Sequence, residues 1–306
     1  MIIDDITYPP IDLRRNAARP DRADVRLKDA YPADMYVTGE HRQVRAPALP
    51  MKKNYEHTSG LENEVLFGEM VTVFDETDGW AWVQLHRDNY VGYVPAQGLS
   101  NERLAATHRV AAVGTFIYPE PNIKTVPLAH LSLNATVTVR ETNDRFAALA
   151  TGGYLIARHL NDIERHARDF VDIAERLVGT PYLWGGRTRL GFDCSGLVQL
   201  AMEAAGLQCP RDTDMQSAEV GTSIVVNAKF DNLERGDLIF WPGHVGIMID
   251  SVMLLHANGH HMSTVVEPLS QAITRIARDA GDRGQMTAIK RPSERGKSRS
   301  ASEATT

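Results

Sequence analysis

"LGFDCSGLVQLAMEAAG", residues 190–206, places a cysteine between an aspartate and a serine at the mouth of an apolar run. Leu197, Val198, Leu200, Ala201 and Ala204 recur on one helix face, and Gly206 is a C-terminal stop. The pattern predicts a helix of about 12 residues with Asp193 as its N-cap. Cys194 then falls in the first turn, where free N–H groups and the helix dipole favour a thiolate. The same N–H groups can hold the oxyanion of a tetrahedral intermediate. Upstream, Gly185, Gly186 and Gly191 mark a loop that allows close backbone approach. Before it, Phe170, Ile173, Ala174 and Leu177 have helical spacing, ended by Gly179 and Pro181. A small residue tucked beneath a glycine loop is the competing reading of Cys194.

A nucleophilic thiol needs a base. "LERGDLIFWPGHVGIMID" (233–250) reads as turn, strand, Pro-Gly turn, strand, and His244 opens the second strand. In "SVMLLHANGHH" (251–261), His256 ends the next apolar strand. Antiparallel pairing through Asp250 and Ser251 would set the two histidines side by side, so that His256 could hold the His244 tautomer. The competing reading of His256 is a strand-end surface residue. His260 and His261 lie in a loop and read as merely polar. The histidines lack paired metal-ligand spacing, so no metal is expected.

The chain has 306 residues, enough for two or three domains, and a net charge of −6, which argues against a nucleic-acid surface. Cys194 and Cys209 are its two cysteines; they make no disulfide framework and read as reduced, which suits a cytoplasmic protein. The start, "MIIDDITYPP", is acidic where a secretory signal is basic, and no stretch reaches the roughly 18 apolar residues of a membrane span, so a soluble, unexported chain is expected.

Residues 1–32 are charged and Pro-punctuated and read as an arm; 292–306 lack apolar content and read as a disordered tail. Residues 33–163 are strand-like. They hold a repeat: "VTVFDETDGW" (71–80) aligns without gaps to "VTVRETNDRF" (137–146), 66 residues later. Chance likeness of two β-rich stretches is the alternative. The period suits two tandem small barrels, 33–100 and 105–163. "GWAWVQL" and "YVGYV" resemble a bacterial SH3-like domain. The second copy departs from that pattern: Phe146 stands at the position of Trp80, and Tyr154-Leu155-Ile156 replaces the Tyr-Val-Gly-Tyr stretch. Trp80, Trp82, Tyr90 and Tyr93 read as a binding platform or, by alternation, partly as core.

"GTPYLWGG", "GFDCSGLV", "GDLIFW", "HVGIMI" and the later His256 form an ordered set across about 164–291. This set resembles the NlpC-type cell-wall cysteine peptidases. With two SH3-like domains before it, the chain is similar to γ-D-glutamyl-L-diamino acid endopeptidases that process murein peptides. The resemblance implies an α+β papain-like fold, with a helix-borne cysteine packed on an antiparallel sheet. It implies Cys194 as nucleophile, His244 as base and acid, and His256 as the orienting residue. It places Tyr182 over the site, and Asp193 and Ser195 beside the pocket for a free L-Ala amine. The first SH3-like domain would narrow that pocket, with Glu64 or Glu69 as carboxylates that could pair with the amine. Arg211 and Gln216 match a further family stretch, Asp212 departs from it, and no role is carried over for them. The implied substrate is a murein-derived L-Ala-γ-D-Glu-diamino acid peptide in wall recycling, with no cofactor and no nucleic-acid or membrane partner. Rival readings are a silent SH3-type binder of wall fragments, an amidase or acyltransferase on the same core, and an SH3 scaffold for Pro-rich partners.

Overall fold

The structure is a computed structural model that describes residues 10–226, 230 and 232–293. The readings for residues 1–9 and for the tail from 294 lie outside the described residues. No helix among the described residues is long and apolar enough to cross a membrane.

Residues 40–100 form a seven-stranded antiparallel sheet. Its order is Leu61–Leu66, Ala48–Lys52, Val91–Pro95, Trp80–Leu85, Met70–Thr77, Glu40–Val44 and Leu99–Ser100. Alternation buries Val71, Val73, Ala81, Val83, Leu85 and Val94 in one core. Residues 108–162 form a looser module of short sheets around Val110, Leu131, Val137, Leu149 and Leu155. The hairpin of the sequence repeat recurs there, as Val139–Thr142 against Phe146–Leu149.

The N-terminal stretch is strapped to the first barrel. Ala17 joins Phe74, Trp82 and Tyr93 in a small core, and the Arg19 guanidinium stacks 4.4 Å from the Trp82 ring centroid. Tyr93 and Trp82 are therefore covered, and Tyr90 is 4 % exposed. Of the four aromatics, these three are core, and Trp80 is half-buried with the Lys52 ammonium 5.1 Å from its ring centroid.

The last part holds four helices, α1 (Phe170–Glu175), α2 (Cys194–Ala204), α3 (Thr213–Glu219) and α4 (Leu269–Ala280). They flank a six-stranded antiparallel sheet of order Thr222–Ser223, Ala288–Arg291, Leu238–Trp241, His244–Met248, Met253–Asn258 and Ser263–Pro268. Leu238, Phe240, Val245, Ile247, Leu255 and Ala257 face the core shared with α1 and α2. Ile239, Trp241, Met248 and Leu254 face the core shared with α4. The sheet is thus buried on both sides. Leu66 of the first barrel and Leu133 of the second module enter the α2 core, so all three parts share packing. Gly185 lets the loop before α2 reach the first barrel. Its φ is +74°, and a Cβ there would lie 2.7 Å from the Leu61 carbonyl oxygen.

Candidate active site

α2 begins at Cys194 because Asp193 caps it. The Asp193 carboxylate accepts from the Gly196 N–H at 2.7 Å and from the Gly185 N–H at 2.9 Å. Arg211, 1 % exposed, donates to both Asp193 oxygens at 2.9 and 2.6 Å and to Ser195 Oγ at 2.9 Å. Gln216 donates to the Ser195 carbonyl at 2.9 Å. Asp193 and Ser195 are therefore bound into the frame of the site, and Arg211 and Gln216, which had no role in the sequence reading, hold that frame.

Cys194 is 7 % exposed, with Sγ 3.8 Å from Thr213 Oγ1 and 3.9 Å from the Gly243 carbonyl oxygen. Burial pushes its thiol up to about 11, and the Asp193 charge adds to the rise. The Val245 N–H, the Thr213 hydroxyl and Arg211 pull the other way. His244 is pushed down to about 3 by burial and by His256. At rest Cys194 is a neutral thiol and His244 a neutral imidazole, so the thiolate-favouring helix start is outweighed by desolvation. Iodoacetamide alkylation of Cys194, followed on its peptide by mass spectrometry, is expected to be slow at neutral pH. The rate should rise about tenfold per pH unit through the alkaline range. A rate already flat from pH 6 upward would show a preformed thiolate instead.

The histidines are joined by sheet register. Ile247 pairs with Leu255, so continuing the ladder sets His256 opposite Gly246, with His244 as its diagonal neighbour. His256 pairs with Val265 and Leu254 with Glu267, which makes Glu267 the next diagonal on the same face. The distances follow: His244 Nε2 lies 2.8 Å from His256 Nδ1, and His256 Nε2 lies 2.8 Å from Glu267 Oε1. His256 holds Glu267 down to about 2, and Arg275 of α4, paired with the same carboxylate, adds to this. An ionised Glu267 only accepts, so His256 carries its proton on Nε2 and accepts at Nδ1. His244 therefore donates from Nε2 and keeps Nδ1 unprotonated, an acceptor nitrogen one residue from the Gly243 carbonyl that Cys194 meets. Glu267 was missed in the sequence because nothing in "STVVEP" singles it out; only two successive register steps do.

Tyr182 sits over this end of the sheet, its N–H donating to the Met262 carbonyl at 3.0 Å. Burial first and Cys194 second push its phenol well above the ordinary tyrosine value, so it stays a donor. Glu64 and Glu69 are not free to meet a substrate. Glu64 accepts from the Arg187 N–H at 2.7 Å, and Glu69 is paired with Arg87 and Arg187 at 2.9 and 3.0 Å. Glu62 on the same strand is the carboxylate near the frame. Burial raises it, and the charges of Asp212 and Asp193 raise it further. Asp212 is also raised by burial, accepts from the Tyr90 hydroxyl at 3.1 Å, and is paired with Arg14 of the N-terminal strap at 2.9 Å.

Residues 179–278 match the NlpC/P60 family. The chain carries an NlpC/P60 domain. Residues 53–99 match the bacterial dipeptidyl-peptidase Sh3 domain. The chain is 26 % identical over 242 residues to the γ-D-glutamyl-L-lysine dipeptidyl-peptidase of Bacillus cereus, covering 69 % of this chain and 71 % of that one. It is 28 % identical over 222 residues to dipeptidyl-peptidase 6 of Lysinibacillus sphaericus, covering 65 % and 80 %. Its fold superposes on an NlpC/P60 family protein from Bacillus cereus with a TM-score of 0.67 at 19 % identity, over 83 % of this chain and 99 % of that one. The NlpC/P60 part is a cysteine peptidase domain, and the fold is the papain-like α+β arrangement with an SH3-like domain ahead of it.

Proposed function

We propose that this chain hydrolyses the γ-D-glutamyl-L-diamino acid bond of murein peptides that carry a free N-terminal L-Ala. The observation that carries the reading is the hydrogen-bonded series Glu267–His256–His244 on a sheet whose Gly243 carbonyl touches the helix-borne Cys194. Nδ1 of His244 takes the thiol proton as sulfur attacks the γ-carbonyl of D-Glu. Backbone N–H groups at the start of α2 and the Tyr182 hydroxyl stabilise the oxyanion. The proton on His244 then passes to the departing amine, and water, activated by His244, cleaves the thioester. The names of the two relatives, both dipeptidyl-peptidases and one of them for γ-D-glutamyl-L-lysine, support this bond and a dipeptide-sized acyl part.

Glu62 supports the free amine. Both carboxylates are raised by burial; Glu62 is raised further by the Asp212 and Asp193 charges, so a bound ammonium would relieve it, while Asp212 is already met by Arg211 and Arg14. An enzyme gated in this way acts on released fragments, which suits wall-peptide recycling in the cytoplasm, where Cys194 and Cys209 stay as thiols.

The test is digestion of L-Ala-γ-D-Glu-meso-diaminopimelate and of its N-acetyl form, with products followed by mass spectrometry and Cys194→Ala as the inactive control. Release of the diamino acid from the free-amine peptide alone is the expected result. Cleavage of both would remove the amine gate. Cleavage of neither, with binding retained, would make the chain a binder of wall fragments.

A further inference from the structure

The polar series that starts at His244 does not end at Glu267. Arg275 of α4 donates to Glu267 Oε1, the same oxygen that lies 2.8 Å from His256 Nε2. The chain reverses to bring it there. Pro268 ends the strand that carries Glu267, and α4 packs back on the sheet through Leu269, Ala272, Ile273 and Ile276. Arg275 follows one turn after Ala272, on the side of the helix that meets the Glu267 strand. The Arg275 and Glu267 side chains are 13 % and 12 % exposed, so water screens this pair less than an ordinary surface salt bridge.

The guanidinium decides how many protons His256 holds. A carboxylate with no other cation beside it draws a second proton onto a neighbouring imidazole. In His256 that proton would sit on Nδ1, which faces His244 Nε2 at 2.8 Å. His244 Nε2 would then have to accept, and its own proton would move to Nδ1, the nitrogen that serves as base. Guanidinium and carboxylate together are neutral, so the pull on His256 is cancelled. The surrounding charges agree. Burial lowers His256, Glu267 opposes this, and Arg275 and His261 of the following loop oppose Glu267. Burial, His256 and Arg275 lower His244, against Glu267. Asp279, one turn beyond Arg275, is half exposed and paired with Arg278 at 2.8 Å, which leaves Arg275 to Glu267.

Resting on the reading under Proposed function, we propose that Arg275 is a positioning residue of the peptidase. By neutralising Glu267 it keeps His256 singly protonated, and thereby keeps the His244 proton on Nε2 and Nδ1 free. Arg275 touches no reacting atom in this role; it acts through two side chains.

The experiment follows kcat and KM against pH for L-Ala-γ-D-Glu-meso-diaminopimelate in the wild type, Arg275→Gln, Arg275→Lys and the double variant Arg275→Gln/Glu267→Gln. Arg275→Gln keeps a donor toward Glu267 and removes the charge. Its acid limb is expected to move up by about one pH unit, with kcat/KM on the alkaline side within a few-fold of wild type. Arg275→Lys should restore the wild-type limb. The double variant should also move the limb back, because the carboxylate that draws the second proton is gone as well. A loss by the same factor at every pH, or a double variant with its limb still raised, overturns the proposal and makes Arg275 a structural residue. A rise in KM at every pH overturns it too, and makes Arg275 a substrate contact. Proton–nitrogen correlation spectra of the histidine rings, titrated without substrate, read the same proton directly. His256 should gain its second proton at higher pH in Arg275→Gln and at lower pH in Glu267→Gln, where the guanidinium is left uncompensated. The second variant keeps the test decisive if the first does not fold. Spectra unchanged in both variants overturn the proposal and leave the peptidase reading standing. Absence of cleavage by the wild type overturns that reading, and the catalytic role of Arg275 with it.

Discussion

Cys194→Ala and His244→Ala are each expected to lower kcat by about ten-thousandfold, and the double variant should be scarcely worse than either single one. Nucleophile and base act as one unit, so removing either ends the covalent route. Substrate binding should survive, because Glu62, Asp212 and the Asp193–Arg211 frame are untouched. Isothermal titration with the free-amine peptide separates the two effects, and additive losses in the double variant would refute the pairing. Glu267→Gln should give a smaller loss, roughly tenfold in kcat with KM nearly unchanged, since the amide still accepts from His256 but no longer carries charge. The pH profile gives a second reading. A base whose pKa is lowered stays neutral, and therefore competent, further into acid. With His244 pushed down to about 3, the acid limb of kcat/KM should fall well below the ordinary imidazole value. The opposite sign holds for fold stability. Glu267 is held down to about 2 by its partners, so its contribution is fully present above the ordinary carboxylate range and fades as pH falls toward 2.

Much of this site was open to sequence reasoning because its signals are local. Asp193 followed by an apolar stripe at helical spacing defines a capped helix, and the observed α2 begins at Cys194. The Pro-Gly turn between two apolar runs defines the hairpin that carries His244, and the observed strands are Leu238–Trp241 and His244–Met248. What stayed hidden depends on contacts between distant parts. Glu267 becomes a partner of His256 only through a diagonal across neighbouring strands. Glu64 and Glu69 are carboxylates of the expected type, yet Arg187, more than 110 residues later, claims both. Glu62, two positions before Glu64, is the one left beside Asp212. The N-terminal strap shows no periodicity because small residues, Ala17, Ala18 and Ala23, carry its burial. It is tied to the peptidase part by Arg14, paired with Asp212 and Asp214, and by Arg15, paired with Glu219 of α3.

The largest expected loss of stability comes from Glu203→Ala, a residue of α2 far from the thiol chemistry. Its carboxylate pairs with Arg187, which is fully buried, and with Arg87 at 2.8 Å. Glu69 and Asp88 complete the cluster, at 2.9 and 3.1 Å from Arg87. Arg87, Glu69 and Asp88 belong to the first barrel, while Arg187 and Glu203 belong to the peptidase part, so the cluster joins the two. Removing one partner of a buried ion pair leaves charge that is neither solvated nor compensated, a loss of about 3–5 kcal/mol. Here two guanidiniums are affected, with Glu69 and Asp88 left to hold them. Replacing the cluster by apolar residues of matching volume would be far milder, because the cost lies in the orphaned charge and not in the absence of salt bridges. In thermal unfolding, the first transition should drop by about 5–15 °C, and a midpoint within 2 °C of wild type would refute the coupling. The same variant tests the gate. Glu62 rides on the barrel that this cluster docks, so loosening it should let the N-acetyl peptide compete. Selectivity for the free amine would then fall at temperatures where the peptidase part is still folded. If selectivity held while the midpoint fell, the barrel would be shown to stay docked through its apolar contacts, with Leu66 in the α2 core as the anchor.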